Sequence, residues 1–177
     1  MTPQLILDTT PETYSALWAH LLPEPLLLEQ AAFAYAHVQS AERTTVFTII
    51  DWQPVLPEGF VYQSEIGFEL TDEMKATVIK RAHDLEASLI EFHSHTGKWL
   101  AKFSPSDRYG FSEVVPHVWW RLRKRSYLSL VVTTSGFDAF AWTIDAHTPQ
   151  RLSGIRVEGE LIQPTKLSPL IASDMYE

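Results

Sequence analysis

The sequence predicts an α/β fold in which a mixed β-sheet is flanked by helices, giving about three layers. Apolar segments typical of strands alternate along the chain with segments whose apolar residues recur at helical spacing. The chain has 177 residues, of which 45% are hydrophobic and 20% charged, as expected for one domain with a sizeable core. We therefore expect a single domain over residues 1–177.

The N-terminal part, residues 1–25, predicts one strand and one helix. The strand is QLILDTT and the helix is TPETYSALWAHLL, with Thr10 at the N-cap and Pro11 at the first helical position. The helix has one apolar face, at spacing i, i+3, i+4, i+7, formed by Tyr14, Leu17, Trp18 and Leu21.

The middle of the chain predicts three strands, a helix and a further strand. LLLEQAAFAYAHV and TTVFTIIDW follow the break at Pro23 and Pro25, and GFVYQSEIGFEL is a third strand with more turn character. TDEMKATVIKRAHDLEA is the second helix, with Thr71 as its cap. Its apolar stripe consists of Met74, Val78, Ala82 and Leu85. The helix leads into the strand SLIEFHSH.

The C-terminal part predicts a helix, a hairpin and a last strand. SPSDRYGFSEVV begins a helix that Pro116 limits, and YLSLVVTTSGFDAFAWTID is a hairpin turning at Ser135 and Gly136. GIRVEGELI is the last strand. The tail at 163–177 contains proline and serine, and we expect it to be less ordered.

Composition excludes several functions. A formal net charge of −8 argues against a nucleic-acid binder, whose affinity rests on neutralising phosphates. No window is a signal peptide or a membrane span, so we expect a soluble, cytoplasmic protein with no membrane partner. The absence of cysteine excludes thiolate ligands and a cysteine nucleophile. Any catalysis must therefore use oxygen and nitrogen groups.

The stretch EFHSHTGKWLAKFSPSD carries candidate metal ligands. On a strand, His93 and His95 point to the same face, so both imidazoles can bind one ion. Asp107 can return across the following loop as a third, anionic ligand. A zinc ion with three protein ligands keeps a fourth position open for water and lowers the pKa of that water to about 7. This ligand set predicts hydrolysis.

Each of these residues also has a purely structural interpretation. Two histidines in strand alternation are often surface residues, and Ser104 with Asp107 fits a helix N-terminus. Glu29 is the only acid between Leu26 and Ala41, and such a carboxylate is costly to bury unless something pairs with it or uses it. The alternative is a glutamate at the end of a strand, reaching solvent.

Taken together, Glu29, His93-Ser94-His95 and Ser104-x-x-Asp107 resemble the JAMM motif of the MPN-domain metalloenzymes. The resemblance extends from about Leu26 to Asp145 and implies the three-layer, cytidine-deaminase-like MPN fold.

The sequence departs from that family pattern in three places. Ala32 and Ala36 replace the glycines of E-x-x-G-x-x-x-G, and both substitutions keep a small side chain. The loop between the second histidine and the serine spans residues 96–103, one more than usual, and Thr96 replaces a common proline. The two departures in the loop concern its shape more than the ligand set.

The resemblance assigns a role to each residue. It implies that His93, His95 and Asp107 bind one zinc ion per chain. Glu29 is the general base, and Ser104 donates a hydrogen bond to the oxyanion. Glu91 has the same strand parity as the histidines, which makes it a rival base or a residue that orients an imidazole. Ser94 is expected to brace the strand.

The implied activity is hydrolysis of the isopeptide or peptide bond after the C-terminal tail of ubiquitin or a ubiquitin-like protein. The partners would then be such a modifier or its conjugates, together with the associated activating and conjugating enzymes. Two alternatives stay open, a zinc amidohydrolase acting on small peptides or metabolites and a non-catalytic MPN scaffold. Non-catalytic members typically lose the glutamate or a histidine, and this sequence keeps them.

Overall fold

A computed structural model describes residues 2–170 of the chain. Its elements are β1 (Gln4–Thr9), α1 (Pro11–Leu21), β2 (Ala31–Ala41), β3 (Thr44–Pro54), a 3-10 turn (Pro57–Gly59), β4 (Phe60–Gln63), β5 (Phe68–Leu70), α2 (Asp72–Asp84), β6 (Ser88–Ser94), α3 (Pro105–Arg121), β7 (Tyr127–Thr133), β8 (Gly136–Trp142), β9 (Gln150–Arg151), β10 (Gly154–Val157) and β11 (Glu160–Ile162). The predicted α/β class with a mixed sheet is confirmed.

The main sheet has nine strands in the order β11-β10-β1-β3-β2-β6-β7-β8-β9. β1 is parallel to β3 and β10, and β6 is parallel to β7, whereas the other neighbours are antiparallel. The chain passes from β6 through α3 to the parallel strand β7. This crossover brings the N-terminus of α3 to the end of β6 where the candidate histidines lie.

Helices cover both faces of this sheet. Leu17 and Leu21 of α1 pack on one face, with Ala32, Ala34 and Ala36 of β2 in the same cluster. The other face is covered by α2 and α3 through buried side chains that include Val78, Ala82, Val115 and Val118. The small residues at the two glycine positions of the family pattern therefore lie in the core beneath α1.

The predicted starts of the first two helices are confirmed. The side-chain oxygen of Thr10 accepts the N–H of Thr13 at 3.2 Å, and that of Thr71 accepts the N–H of Met74 at 3.0 Å. The predicted stripes are buried or half-buried in the two clusters. Capping and periodicity were sufficient here because both operate within a few residues of the chain.

Two segments predicted as single strands are hairpins. GFVYQSEIGFEL forms β4 and β5, a separate two-stranded sheet whose turn is closed by a bond from the N–H of Ser64 to the carbonyl of Gly67 at 2.8 Å. GIRVEGELI forms β10 and β11 around Glu158 (φ 49°) and Gly159 (φ 80°). Two successive positive φ angles are typical of a type I′ turn, and Gly159 was its signal in the sequence.

The third helix is longer than predicted. Pro116 lies inside α3, which continues to Arg121 although proline removes a backbone hydrogen bond. Val115 and Val118, on either side of the proline, are buried against the sheet, and this packing holds the helix together. The β7–β8 turn also lies one residue earlier than predicted, at 134–135, and Gly136 begins β8 with φ 152°.

The end of the described chain returns to the main sheet. Residues 163–170 of the predicted tail are described, and within them Ser168 is fully buried. The remainder of the tail lies outside the described residues. Over residues 2–170, no helix combines the length and apolar character that crossing a membrane requires.

Candidate metal centre

The candidate ligands lie at the end of β6, facing the N-terminus of α3. His93 is the sixth residue of β6, and His95 follows the strand directly, with its N–H bound to the carbonyl of Val132 at 3.0 Å. Asp107 lies in the first turn of α3. The strand, the neighbouring strand and the helix therefore each fix one part of the site.

The three candidate ligands converge as predicted. Oδ2 of Asp107 lies 3.1 Å from Nε2 of His95 and 3.3 Å from Nε2 of His93. One ligand atom from each residue lies within 4.8 Å of the others. Zinc bonds of about 2.0–2.2 Å in tetrahedral geometry place ligand atoms roughly 3.4 Å apart. The group could therefore hold a metal ion with little movement.

The surroundings of His93 fit a metal ligand. The residue is 2% exposed, and among residues 2–170 neither of its ring nitrogens has a hydrogen-bond partner of good geometry. The rings of Phe68 and Phe103 lie 6.1 and 6.0 Å from the imidazole. The Nε2 atom has only the poorly aligned carboxylate of Asp107 near it, at 3.3 Å, and a bound ion between the two groups would satisfy both.

The charges of this site are strongly coupled. Burial lowers the pKa of His93, but the charges of nearby carboxylates, first that of Asp107, outweigh burial and raise it to about 9. Burial by itself raises the pKa of Asp107, whereas His93, His95 and the N–H of Ser104 hold it well below its usual range. Without a metal, His93 and Asp107 thus form an ion pair at neutral pH.

A capping box fixes the direction of Asp107. Its backbone N–H donates to Oγ of Ser104 at 3.1 Å, and Oδ2 of Asp107 accepts the N–H of Ser104 at 2.7 Å. The predicted N-cap role of Ser104 is therefore confirmed. A hydroxyl can accept and donate at once, so this cap leaves its hydrogen for an acceptor in the site.

Glu29 lies beside the three candidate ligands. It is 6% exposed, and its Oε1 lies 3.9 Å from Nε2 of His95. Burial raises the pKa of the Glu29 carboxyl, against the lowering effect of His93 and His95. The carboxylate is near the site but farther from the histidines than Asp107 is, which suits a group that acts next to the ion.

The position of Glu29 differs from the prediction in one respect. It precedes β2 by two residues, so it is not inside a strand. Its N–H donates to the carbonyl of Ser64 at 2.9 Å, and its carbonyl accepts from Nε2 of Gln63 at 2.7 Å. The β4–β5 hairpin thus supplies partners that a strand neighbour would otherwise provide.

Ser94 joins the histidine strand to this glutamate segment. It is fully buried, its Oγ accepts the N–H of Gln30 at 2.9 Å, and its own N–H donates to the carbonyl of Gln30 at 3.0 Å. Gln30 follows Glu29 directly. Ser94 therefore links His93 and His95 to Glu29 through the backbone, in line with the predicted bracing role.

Glu91 lies on the other side of His93. Its Oε2 accepts the hydroxyl of Tyr127 at 2.5 Å, and its Oε1 lies 3.9 Å from Nδ1 of His93. The Nδ1 atom is the imidazole nitrogen opposite the one that faces Asp107. Glu91 already accepts the hydrogen bond of Tyr127 and approaches only Nδ1 of His93. This geometry suits a residue that orients the imidazole, and it is less suited to a general base.

The loop at 96–103 makes hydrogen bonds to two other segments of the chain. Oγ1 of Thr96 donates to the carbonyl of Glu65 at 2.7 Å. The carbonyl of Trp99 accepts the hydroxyl of Ser135 at 3.2 Å. The longer loop is therefore attached both to the β4–β5 hairpin and to the β7–β8 turn.

Several contributors to the site were not found from the sequence. Gln63 and Ser64 hold Glu29, Tyr127 holds Glu91, and Phe103 packs beside His93. Only Phe103 had a signal in the sequence, as the aromatic residue directly before Ser104. The others are far away along the chain, and no local pattern connects them to the motif.

Comparisons with known proteins name no function. No family model matches the sequence, and no curated protein is similar to it. Among solved structures, the chain matches the solution structure of protein DSY2949 from Desulfitobacterium hafniense, a Northeast Structural Genomics Consortium target. The two are 17% identical, the match covers 88% of this chain and 94% of that one, and the TM-score is 0.47. At this level of similarity nothing follows about activity.

Proposed function

We propose that this chain is a JAMM-type zinc isopeptidase, which hydrolyses the bond after the C-terminal tail of ubiquitin or a ubiquitin-like modifier. The observation that carries the proposal is the convergence of three ligands with a buried carboxylate. His93, His95 and Asp107 have ligand atoms within 4.8 Å of one another, and Glu29 lies 3.9 Å from the nearest histidine nitrogen. A two-histidine, one-aspartate set with a neighbouring acid is what the family pattern requires.

The residues of this chain have distinct tasks in the reaction. His93, His95 and Asp107 would hold the zinc ion, which when bound would supply Lewis acidity and lower the pKa of water at neutral pH. Glu29 takes the proton from the attacking water and returns it to the departing amine. Its raised pKa supports this exchange, because a base works best when its pKa approaches the working pH.

Ser104 stabilises the charge that develops on the carbonyl oxygen. Its Oγ is held by the N–H of Asp107, and its hydroxyl hydrogen can donate toward the site. A donor that is fixed in advance at this position stabilises the oxyanion without reorganisation. The N-cap of α3 thus serves both the helix and the reaction.

Glu29 and Ser104 favour hydrolysis over other metal chemistry. Two histidines and one carboxylate also hold ferrous iron in oxygenases. Such chemistry does not call for a buried general base beside the ion or for an oxyanion donor. Retention of both residues also argues against a non-catalytic scaffold.

The surface around the site favours a protein substrate. Large apolar side chains are exposed on three segments that adjoin site residues. These segments are the residues before Glu29, the β4–β5 hairpin and the 96–103 loop. These side chains are Leu27, Leu28, Val61, Tyr62, Ile66, Trp99 and Leu100. Exposed apolar side chains on segments bordering the site could contact a protein substrate, which a small-molecule amidohydrolase has no need of.

The test is cleavage of modifier substrates with and without chelator. Purified protein is incubated with ubiquitin-like proteins that carry a C-terminal extension, joined either linearly or through a lysine side chain. We expect cleavage that chelator abolishes and added zinc restores, and that Glu29→Gln abolishes without loss of zinc. The variant Glu91→Gln is the matched control, because it removes the other carboxylate near His93.

Two results would contradict the proposal. Cleavage that survives chelator excludes the metal role. Zinc-dependent cleavage of short free peptides, with no cleavage of any modifier fusion, assigns the protein to the small-substrate amidohydrolases instead. Genes for a ubiquitin-like protein and its activating enzyme next to the gene for this chain would favour the isopeptidase.

A further inference from the structure

The C-terminal segment 165–168 lies against the loop that leads into α3. We propose that Ser168, held in place by the buried carboxylate of Asp138, is a positioning residue for the metal centre. The inference rests on the proposed metal site and extends it to a part of the chain that the motif does not include. Ser168 touches none of the candidate ligands and acts through the backbone at Phe103.

The contact between the two segments is made inside the protein. Ser168 is fully buried, and its Oγ accepts the backbone N–H of Phe103 at 2.9 Å. In parallel, Oγ1 of Thr165 donates to the carbonyl of Ala101 at 2.6 Å. Phe103 directly precedes Ser104, so these bonds fix the backbone immediately before the cap of α3.

Asp138 holds the segment in turn. Its carboxylate is fully buried and accepts the N–H of Ser168 at 2.8 Å, that of Lys166 at 3.2 Å and that of Ala139 at 3.0 Å. Lys166 has φ 59°, in the left-handed region. A buried carboxylate is costly unless hydrogen bonds compensate it, and here backbone donors do so. Because two of them belong to the 165–168 segment, Asp138 fixes the place of Ser168.

Asp138 also shares a face of the sheet with the metal centre. His93 on β6 pairs with Val131 on β7, and Val131 pairs with Asp138 on β8. Residues in one such row point to the same side of a sheet. The segment that Asp138 holds therefore runs above the same face, two strands away from His93.

Phe103 contacts both Ser168 and His93. Its backbone is bound by Ser168, its ring packs 6.0 Å from the imidazole of His93, and it is 1% exposed. A displacement of its backbone would move both the wall beside His93 and the start of α3. A metal site needs its ligands within about half an ångström of the productive geometry, so small shifts there are enough to weaken binding.

A merely structural role gives a different expectation. Loss of a buried hydrogen bond lowers the melting temperature, but it leaves the zinc affinity of the folded protein unchanged. A positioning role also weakens zinc binding under conditions where the variant is fully folded. The dissociation constant for zinc, measured well below the melting temperature, therefore separates the two.

The experiment compares Ser168→Ala with Ser153→Ala. Ser153 is the matched control, because its Oγ also accepts a backbone N–H, that of Leu5 at 3.1 Å, but beside β1 and away from the site. Zinc dissociation constants come from competition with a chromophoric chelator, and melts of the metal-free proteins give stability. Hydrogen exchange at the Phe103 amide reports directly on the bond.

We expect both variants to melt at a lower temperature and only Ser168→Ala to bind zinc more weakly. The expected loss is about 10–100-fold, as for groups that support metal ligands indirectly. The Phe103 amide should exchange faster in that variant alone. Asp138→Asn, which removes the charge and keeps an acceptor, should give a smaller loss in the same direction.

The possible results distinguish the inference from the metal site and from the proposed function. Zinc binding in Ser168→Ala within twofold of the wild type overturns the inference and leaves the proposed function intact. If Ser168→Ala does not fold, Thr165→Val and Asp138→Asn take its place, and wild-type affinity in both overturns it equally. A wild-type protein that binds no zinc overturns the metal site and the inference together. Zinc binding without cleavage of any substrate contradicts only the proposed function.

Discussion

The N-termini of α2 and α3 are built by the same local rule and have different surroundings. At α2, Oγ1 of Thr71 accepts the N–H of Met74 at 3.0 Å, and at α3, Oγ of Ser104 accepts the N–H of Asp107 at 3.1 Å. Three residues after the cap, α2 has an apolar side chain that packs against the core. In α3 the same position carries the carboxylate that faces both histidines.

The surroundings of the two ends explain the difference. Both first turns carry acids, as the positive end of a helix dipole favours. Asp72 of α2 is fully exposed and makes only a loose ion pair with Lys75, at 3.9 Å. The side chain of Asp107 is 19% exposed and lies at the end of β6. The cap determines where each helix begins. Whether an acid in the first turn can bind a metal depends on the strand that lies opposite the helix end.

The largest expected effect comes from removing the anionic ligand. Asp107→Asn should lose stoichiometric zinc and fall to background activity, because a neutral amide is a weak ligand for zinc. Asp72→Asn, which neutralises an exposed acid in the first turn of α2, should keep its zinc and change the free energy of unfolding by less than about 0.5 kcal/mol. Metal analysis of the two purified variants tests this. Full zinc content in Asp107→Asn would remove the distinction between the two helix ends.

The next effect concerns Glu29, the proposed base beside His95. Glu29→Gln is nearly isosteric and should keep zinc and fold while kcat falls by ~10²–10⁴-fold, the usual contribution of a general base. Metal content and steady-state kinetics on the same preparation check both parts.

The control for that prediction is Glu91→Gln. It should be active to within a small factor, or bind zinc up to ~10-fold more weakly through the orientation of His93. If Glu29→Gln turns over like the wild type and Glu91→Gln is inactive, the base is Glu91.

A further pair of variants removes the N-cap side chain of each helix. Thr71→Ala and Ser104→Ala should each cost ~1 kcal/mol of stability through the lost cap. Only Ser104→Ala should also lower kcat, by ~10²–10³, with little change in KM, because the oxyanion donor role proposed for Ser104 acts in the transition state. Melts and kinetics on both variants give the answer. Equal activity per folded molecule would make the two caps equivalent and restrict Ser104 to a structural role.

A further predicted effect is a pH dependence of zinc binding at the α3 end. With a pKa of about 9, His93 is protonated in the metal-free protein at neutral pH and must lose that proton to bind zinc. Zinc affinity should therefore rise by up to ~10-fold per pH unit from pH 7 and level off above pH 9. Calorimetry in buffers of different ionisation enthalpy should detect about one proton released per zinc. Constant affinity over this range would mean that His93 is neutral before zinc binds.

The same pKa sets the stability of the metal-free protein. Because the pKa of His93 is raised on folding, its contribution is fully present below about pH 6.5. It is lost as the pH rises through about 9. The difference in stability between the metal-free wild type and His93→Ala should shrink as the pH rises through about 9, and the loss of packing around the buried ring should persist.

Local sequence patterns were enough to predict the helix starts and the residues of the candidate site. Thr10, Thr71 and Ser104 mark three helix starts because a side-chain oxygen can satisfy an N–H only a few residues away. The spacing of Glu29, the histidine pair and Ser104-x-x-Asp107 identified five residues that do lie together. Such patterns are informative because they depend on hydrogen bonds and periodicities within single elements.

The contacts that hold those residues in place depend on long-range packing. The β4–β5 hairpin binds the backbone of Glu29, α3 continues through Pro116 because its flanking valines are buried, and Ser168 fixes Phe103 from 65 residues away. None of these contacts follows from local propensity. Each exists because packing brings distant backbone polar groups together in the interior, where water cannot satisfy them and another part of the chain must.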